Sequence, residues 1–419
     1  LSRADGFANY DEATAAPATY EMSDEVKAGF ENCFTYTESG YEKDEDPNAE
    51  DITTGAKNGL KLADLRGVDY NDSKWDDLLD EMSIDDLQQT IGFGGYQTAA
   101  VDSVGKVRTN DCDGPASINN NFTGVGSVGF PAATLIGMTW SKDLAHDFGD
   151  SIGKMANEMN TSGWYGPAMN IHRTAFSGRN FEYYSEDGVL SGEMAASAIA
   201  GAQEHGVYAY MKHFALNDCE QDRIGLGVWL NEQAAREVYL KAFQAPVEVG
   251  NANGVMIAYT RWGAVWSGGN YGLVTGILRN EWGCDGMVIT DNVLTQYVNG
   301  PDGVLAGVSI YDAMMSFVTD TLPKYKNDPV IVTAMREACH HNLYAIANSC
   351  GMNGVGADTT IKVTRPTVVT MSIIIACAST FFCLLGIVMW IIGGIKFRKT
   401  EEYKAYKDFK KSLKAAKKA

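Results

Sequence analysis

Between Thr367 and Ile395 the chain reads "TVVTMSIIIACASTFFCLLGIVMWIIGGI", 29 residues without one charge. A helix rises 1.5 Å per residue, so about 20 residues cross the hydrocarbon of a bilayer, and this run exceeds that length. A buried core helix is a weak alternative at such length and hydrophobicity. The run predicts a single transmembrane helix over 367–395, with Trp390 near one end, where an indole suits the interface.

The charge on the two sides of this helix differs in sign. Residues 396–419 hold 10 Lys and Arg against 3 Asp and Glu, a net of +7, while residues 1–395 hold 24 against 50, a net of −26. The positive-inside rule places the basic tail in the cytoplasm and the acidic bulk outside, which predicts a single-pass protein of the cell membrane with an extracellular N-terminal domain. The tail "KFRKTEEYKAYKDFKKSLKAAKKA" has two readings: a solvated stop-transfer signal, or a helix lying on anionic lipid. A total of −19 argues against nucleic acid, whose phosphates need clustered Lys and Arg. An external domain requires export, yet the chain opens at Leu1 with no basic-then-apolar leader, which predicts a fragment or the downstream part of a longer product.

The eight cysteines show no CxxC or other metal spacing, and ordinary thiols are expected. His340 and His341 are adjacent, and neighbours on a helix do not share a face, so neither a metal nor another cofactor is expected.

Residues 1–60 are acidic, turn-rich and without periodicity, as in a linker or the trailing edge of a preceding domain. From residue 61 to 351 short apolar runs alternate with amphipathic stretches. "SKDLAHDFGDSIGKMANEMNTSG" predicts a helix capped by Ser141 and stopped by Gly163, and "NEQAAREVYLKAFQAPVEVG" one starting at Asn231 with a Glu232–Arg236 pair. "AMNI", "VYAYMKHF", "GVMIAY" and "GMVIT" are the strand candidates. Strand and helix in alternation predict an α/β fold with a parallel sheet, and about 300 residues of it suit one (β/α)8-type TIM barrel. Residues 352–366 then form a juxtamembrane linker.

Polar residues follow the strand candidates: Asp113 in "DCDGP", Arg179 in "FSGRNFEYYSED", Lys212 and His213 in "KHF", Tyr259 in "AYTRWG", and Asp291 in "TDN". In a β/α barrel that end of the strands carries the active site. Each has a plain alternative: Asp113 starting a turn at Gly114–Pro115, Arg179 pairing with Glu182 or Glu186, His213 as a satisfied buried histidine. Their collection at one topological place favours a site.

The stretches "GPAMNIHRTAFSGRNFEYYSEDGVLSGEMAASAIAGAQEHGV", "KHFALNDCEQDR" and "GGNYGLVTGILRNEWGCDGMVITDN" resemble the catalytic barrel of glycoside hydrolase family 3, the β-glucosidase-type family, over residues 60–351. The resemblance implies a retaining exo-acting β-glycosidase with Asp291 as nucleophile, and with Asp113, Arg179, Lys212, His213 and Tyr259 holding hydroxyls of the terminal sugar of an oligosaccharide or glycoside. It also implies the branch in which a sandwich domain precedes the barrel and supplies the general acid. "FALNDCEQDR" holds no histidine, which disfavours the branch cutting N-acetylglucosaminides, and Glu220 in that loop resembles a structural position. Asn292 stands where an aromatic residue often follows the nucleophile. The basic residues around Asp291 are expected to lower its pKa. The second functional class is a membrane-anchored glycan-binding protein that keeps the grip and hydrolyses nothing.

Overall fold

A computed structural model describes residues 6–16, 18–31, 52–293, 297–313, 322–360 and 365–417. The chain forms two compact units, Leu1–Ile361 and Lys362–Ala419.

The first unit is built on a six-stranded sheet whose strands follow chain order: β1 (Gln97–Thr98), β2 (Thr109–Cys112), β3 (Gly163–Trp164), β4 (Tyr208–Phe214), β5 (Gly254–Ile257) and β6 (Met287–Ile289). From β2 to β6 every pairing is parallel, whereas β1 runs antiparallel to β2. The short link between β1 and β2, pinched by a Val101–Lys106 bridge, is too short for a crossover and only allows a hairpin. Beyond β6, Ile289 bridges Ile310 in parallel. The N–H of Tyr311 then donates to Ile91 O at 2.8 Å and that of Gly94 to Tyr311 O at 2.8 Å, so the far edge curls back towards the residues preceding β1. Among the described residues the sheet is thus a curled α/β sheet of six strands, where eight parallel strands were expected.

β4 sits between β3 and β5, and all seven of its residues are buried, as a strand covered on both faces requires. "VYAYMKHF", "GVMIAY" and "GMVIT" contain β4, β5 and β6. "AMNI" is not a strand: the ladder runs five residues earlier, at β3. Pro167 has no N–H for a ladder, and only Ala168 still bridges Lys212. β2 reads "TNDC", too polar to be recognised. Inside the sheet the Thr98 and Thr109 hydroxyls lie 2.6 Å apart and Tyr208 donates to Asp111 Oδ1 at 2.5 Å, whereas the buried Asp111 Oδ2 accepts no hydrogen bond from the described residues. Lys106 is buried there too, donating to Thr98 Oγ1 at 2.8 Å and to the Ala99 carbonyl.

The outer layer of the first unit includes α1 (Ile84–Gly92), α2 (Lys142–Glu158), α3 (Gly188–Gln203), α4 (Lys241–Glu248) and α5 (Pro329–Ala347). Ser141 caps α2 as expected, its Oγ accepting Leu144 N–H at 3.3 Å, but α2 ends at Glu158 and Asn160 takes the left-handed turn (φ +54), freeing Gly163 for β3. Asn231 accepts Ala234 N–H at 2.9 Å and Glu232 holds Arg236 at 2.8 Å, so that cap and pair are also present. The helix they open is interrupted by a wide turn over Ala235–Tyr239 before α4. α2 and α3 pack backbone to backbone: a Cβ at Gly149 would stand 1.9 Å from the Ala198 carbonyl oxygen. The expected N-terminal linker contains two short helices, Tyr10–Thr14 and Asp24–Glu31, while most of its acidic tract lies outside the described residues.

The second unit holds α6 (Thr367–Phe397) and α7 (Glu401–Ala416). α6 has 31 residues and a mean hydropathy of 2.4 in its most apolar stretch, long and apolar enough to cross a membrane.

Candidate active site

Five parallel strands end on one side of the sheet, and the candidate residues lie at or just beyond those ends. Asp113 directly follows β2, Lys212 and His213 are the last residues but two and but one of β4, Tyr259 follows β5 by two residues, and Asp291 follows β6 by two. Arg179 comes from the long connection after β3.

The side chains meet. Lys212 Nζ lies 2.8 Å from Asp113 Oδ1, which also accepts the Gly114 N–H at 2.8 Å. Arg179 Nη1 lies 3.3 Å from His213 Nε2, and that nitrogen is 3.6 Å from Asp291 Oδ2. Tyr259 donates to the Asn292 carbonyl at 2.7 Å, and Tyr297 to the Asp291 carbonyl at 2.8 Å, fixing the backbone on which the carboxylate stands. Asp291 Oδ1 accepts the Asn292 N–H at 2.7 Å, whereas its buried Oδ2 accepts no hydrogen bond from the described residues. The plain alternatives for Asp113 and Arg179 hold at the same time, since Arg179 Nη2 pairs with Glu182 at 2.6 Å.

The electrostatics correct one expectation. Burial pushes the Asp291 carboxyl above the ordinary aspartate value, and Arg223, the Asn292 N–H, Lys212 and Arg179 only partly offset it. Asp113 differs because its side chain is 43% exposed and directly paired. Burial pulls upward there too, yet the Lys212 ammonium and the Gly114 N–H hold it below its ordinary value. His213 is buried among cations. Desolvation, then Arg179, Lys212 and Arg223, push its pKa well down, so the imidazole is neutral. Its main chain is clamped by one side chain, Asn170, which accepts from the His213 N–H at 2.8 Å and donates to its carbonyl at 3.0 Å.

Three residues near this cluster escaped the sequence reading. Arg223 closes the quoted stretch "KHFALNDCEQDR"; its guanidinium stands 4.5 Å above the Tyr259 ring and 2.9 Å from Glu220 Oε2. Glu220 is tied further to Asn217 Nδ2 at 2.8 Å and to Arg179 at 3.5 Å. Asp312 is buried, and burial followed by the charges of Asp291, Asp113 and Asp111 pushes its carboxyl well up. Tyr297 packs on Tyr259 with ring centroids 4.8 Å apart. Only Arg223 lay inside a motif that could have announced it.

Comparison with known proteins shows what part of the chain is similar to. The glycosyl hydrolase family 3 N-terminal domain matches residues 118–304. Beta-glucosidase A of Butyrivibrio fibrisolvens is 39% identical over 206 residues, 49% of this chain and 24% of that protein. A beta-glucosidase of Rhizobium radiobacter is 34% identical over 220 residues, 52% and 27%. Among solved structures, a beta-glucosidase from Paenibacillus barengoltzii superposes with a TM-score of 0.66 at 26% identity, covering 76% of this chain and 37% of that one. Beta-glucosidase 3B from Thermotoga neapolitana in complex with alpha-D-glucose gives 0.61 at 27%, covering 66% and 43%. The chain spans about a quarter of the length of these two curated relatives.

At the other end of β6, the first unit has a cavity of about 350 Å³ lined by Tyr70, Arg279, Asp285, Glu337 and His341. Its groups bind one another: Tyr70 stacks on His340 at 4.0 Å and donates to Glu337 at 2.9 Å, and His341 Nδ1 lies 2.9 Å from the Asp285 carbonyl. In β/α folds this end of the sheet serves stability.

Proposed function

We propose that the chain is the catalytic part of a retaining, exo-acting β-glycosidase of β-glucosidase type, held at the cell surface by one membrane span. The observation that carries this reading is Asp291, whose buried Oδ2 accepts no hydrogen bond from the described residues and faces His213 Nε2 at 3.6 Å, while hydrogen bonds fix its backbone and Oδ1. In the proposed first step Oδ2 bonds to the anomeric carbon, the bond from that carbon to the leaving oxygen breaks, and an acid protonates that oxygen. Water then releases the sugar with its configuration retained. Lys212, Arg179 and His213 donate to or accept from hydroxyls of the terminal sugar, Asp113 accepts from them, and Tyr259 walls the site beside Asn292.

A second carboxyl is needed about 5–5.5 Å from the nucleophile. Glu220 does not suit that role, since both its oxygens are engaged by Arg223 and Asn217. We assign the acid to a further domain of the longer protein. Incubation with a 2-fluoro-glucoside tests the core of the reading: mass spectrometry should find the sugar on the peptide containing Asp291, and an unmodified Asp291 in a folded protein would leave only the glycan-binding alternative. For the anchor, α6 spans the membrane with residues 1–366 outside and the Lys-rich tail inside. Protease added to intact cells should digest the N-terminal domain and spare an epitope after Lys418, and the reverse pattern would refute the orientation.

A further inference from the structure

Three residues separate the end of α6 from the start of α7, and that start is fixed. Thr400 accepts the Tyr403 N–H at 3.3 Å and donates to the Phe397 carbonyl at 2.7 Å, and the Tyr403 ring lies 5.6 Å from that of Phe397. At 3.6 residues per turn, Tyr403, Tyr406, Phe409 and Leu413 fall within about a third of the helix circumference. Tyr406, Phe409 and Leu413 are exposed. By the same periodicity Lys414 borders this stripe, while Lys410 falls within it between Tyr406 and Tyr403, its ammonium 5.8 Å from the Tyr406 ring, and Glu402 also falls within it. Glu401 and Asp408 fall away from it. A short amphipathic helix with aromatic residues on one face and lysines beside them suits the boundary between acyl chains and headgroups, where the rings enter the apolar layer and the lysines reach back to phosphate.

On the reading that α6 spans a bilayer, we propose that α7 lies in the plane of the inner leaflet and binds anionic phospholipid headgroups. The occupant is argued from position and charge. A chain leaving the bilayer at Phe397 has the leaflet within one helical turn of Tyr403, and residues 396–419 carry a net +7. A soluble acidic partner would match the lysines but would not require a stripe of four apolar residues facing one way. The interaction keeps the tail on the membrane and orients the span from its cytoplasmic end.

The test uses the whole chain in nanodiscs of phosphatidylcholine alone or with about one third phosphatidylserine, followed by hydrogen exchange. Amides of 367–397 should be protected in both lipids. Amides of 401–416 should exchange at least ten-fold more slowly in the anionic discs. That difference should vanish in roughly 0.5 M salt and in the quadruple variant Lys407→Gln, Lys410→Gln, Lys411→Gln, Lys414→Gln. Equal exchange of 401–416 in the two lipids overturns the proposal while leaving the span intact. Fast exchange of 367–397 in both lipids overturns the span itself.

Discussion

The Nε2 of His213 lies between Arg179, 3.3 Å away, and Asp291 Oδ2, 3.6 Å away. A guanidinium only donates, so Nε2 accepts and the proton of the neutral ring sits on Nδ1. On the proposed reading a sugar hydroxyl takes the place of Arg179 as donor to Nε2, beside Asp291, and burial and the neighbouring cations hold the ring neutral. His213→Gln should lower kcat/KM for an aryl β-glucoside by about 10–100-fold through the lost hydrogen bond. The acid limb of the pH profile should stay where it was. A limb that moves with this substitution would show a charged imidazole.

Arg223 has the opposite signature. It is the foremost of the influences that pull the Asp291 pKa down against burial. Removing its charge in Arg223→Gln raises that pKa further, so the Asp291 carboxylate, the proposed nucleophile, is protonated sooner as the pH falls. The acid limb of kcat/KM should move to higher pH, and Arg223→Lys should move it less. Burial of Oδ2 and the 4.5 Å stacking on Tyr259 make this a near-range effect. An unshifted limb in the Gln variant would show that Arg223 acts only on the shape of the site.

What could be read from sequence was what repeats locally. β4 is legible because all its residues are buried, and the Ser141 and Asn231 caps because a cap is a residue type at one position. β2 was hidden because "TNDC" finds its hydrogen bonds in Thr98 and Tyr208, far along the chain. Five of the six candidate residues were legible as strand ends, while Arg179 comes from the long connection after β3, and the structure brings them together. The sign of the Asp291 shift was not, since lysine and arginine can be counted in a sequence and burial cannot. Asp312 escaped because it follows a single bridge at Ile310 rather than a strand pattern.

Asp218 offers a test on stability. It is buried, its Oδ1 accepts the Ile171 N–H at 2.9 Å, and burial pushes its carboxyl up to about 7. The unfolded chain releases this proton near pH 4. Between about 4 and 7 the folded state therefore binds the extra proton, and the stability this group contributes is lost as the pH rises through that window. Asp218→Asn keeps an acceptor for Ile171 and cannot ionise. Its melting temperature relative to the unsubstituted protein should rise from pH 4 to 7 by several degrees, for a difference on the order of a few kcal/mol. A constant offset across that range would mean that Asp218 titrates like a surface carboxylate.

The division of labour between this chain and a further acid-bearing domain can be read from leaving groups. Departure of a sugar alkoxide needs a proton in the transition state, and general acid catalysis contributes about 10²–10⁴-fold. A nitrophenolate departs with little help. Asp291 and the residues around it should therefore suffice for measurable turnover of a nitrophenyl β-glucoside by this chain, while a disaccharide is hydrolysed slowly. A protein extended upstream of Leu1 to include the proposed domain should recover disaccharide hydrolysis far more than aryl glucoside hydrolysis, measured as kcat/KM for each. Equal recovery of both would assign the added domain to folding or to covering the site. Efficient disaccharide turnover by this chain would place the acid within it, and Glu220→Gln, despite the 2.9 Å contact of Glu220 with Arg223, would be the first substitution to examine.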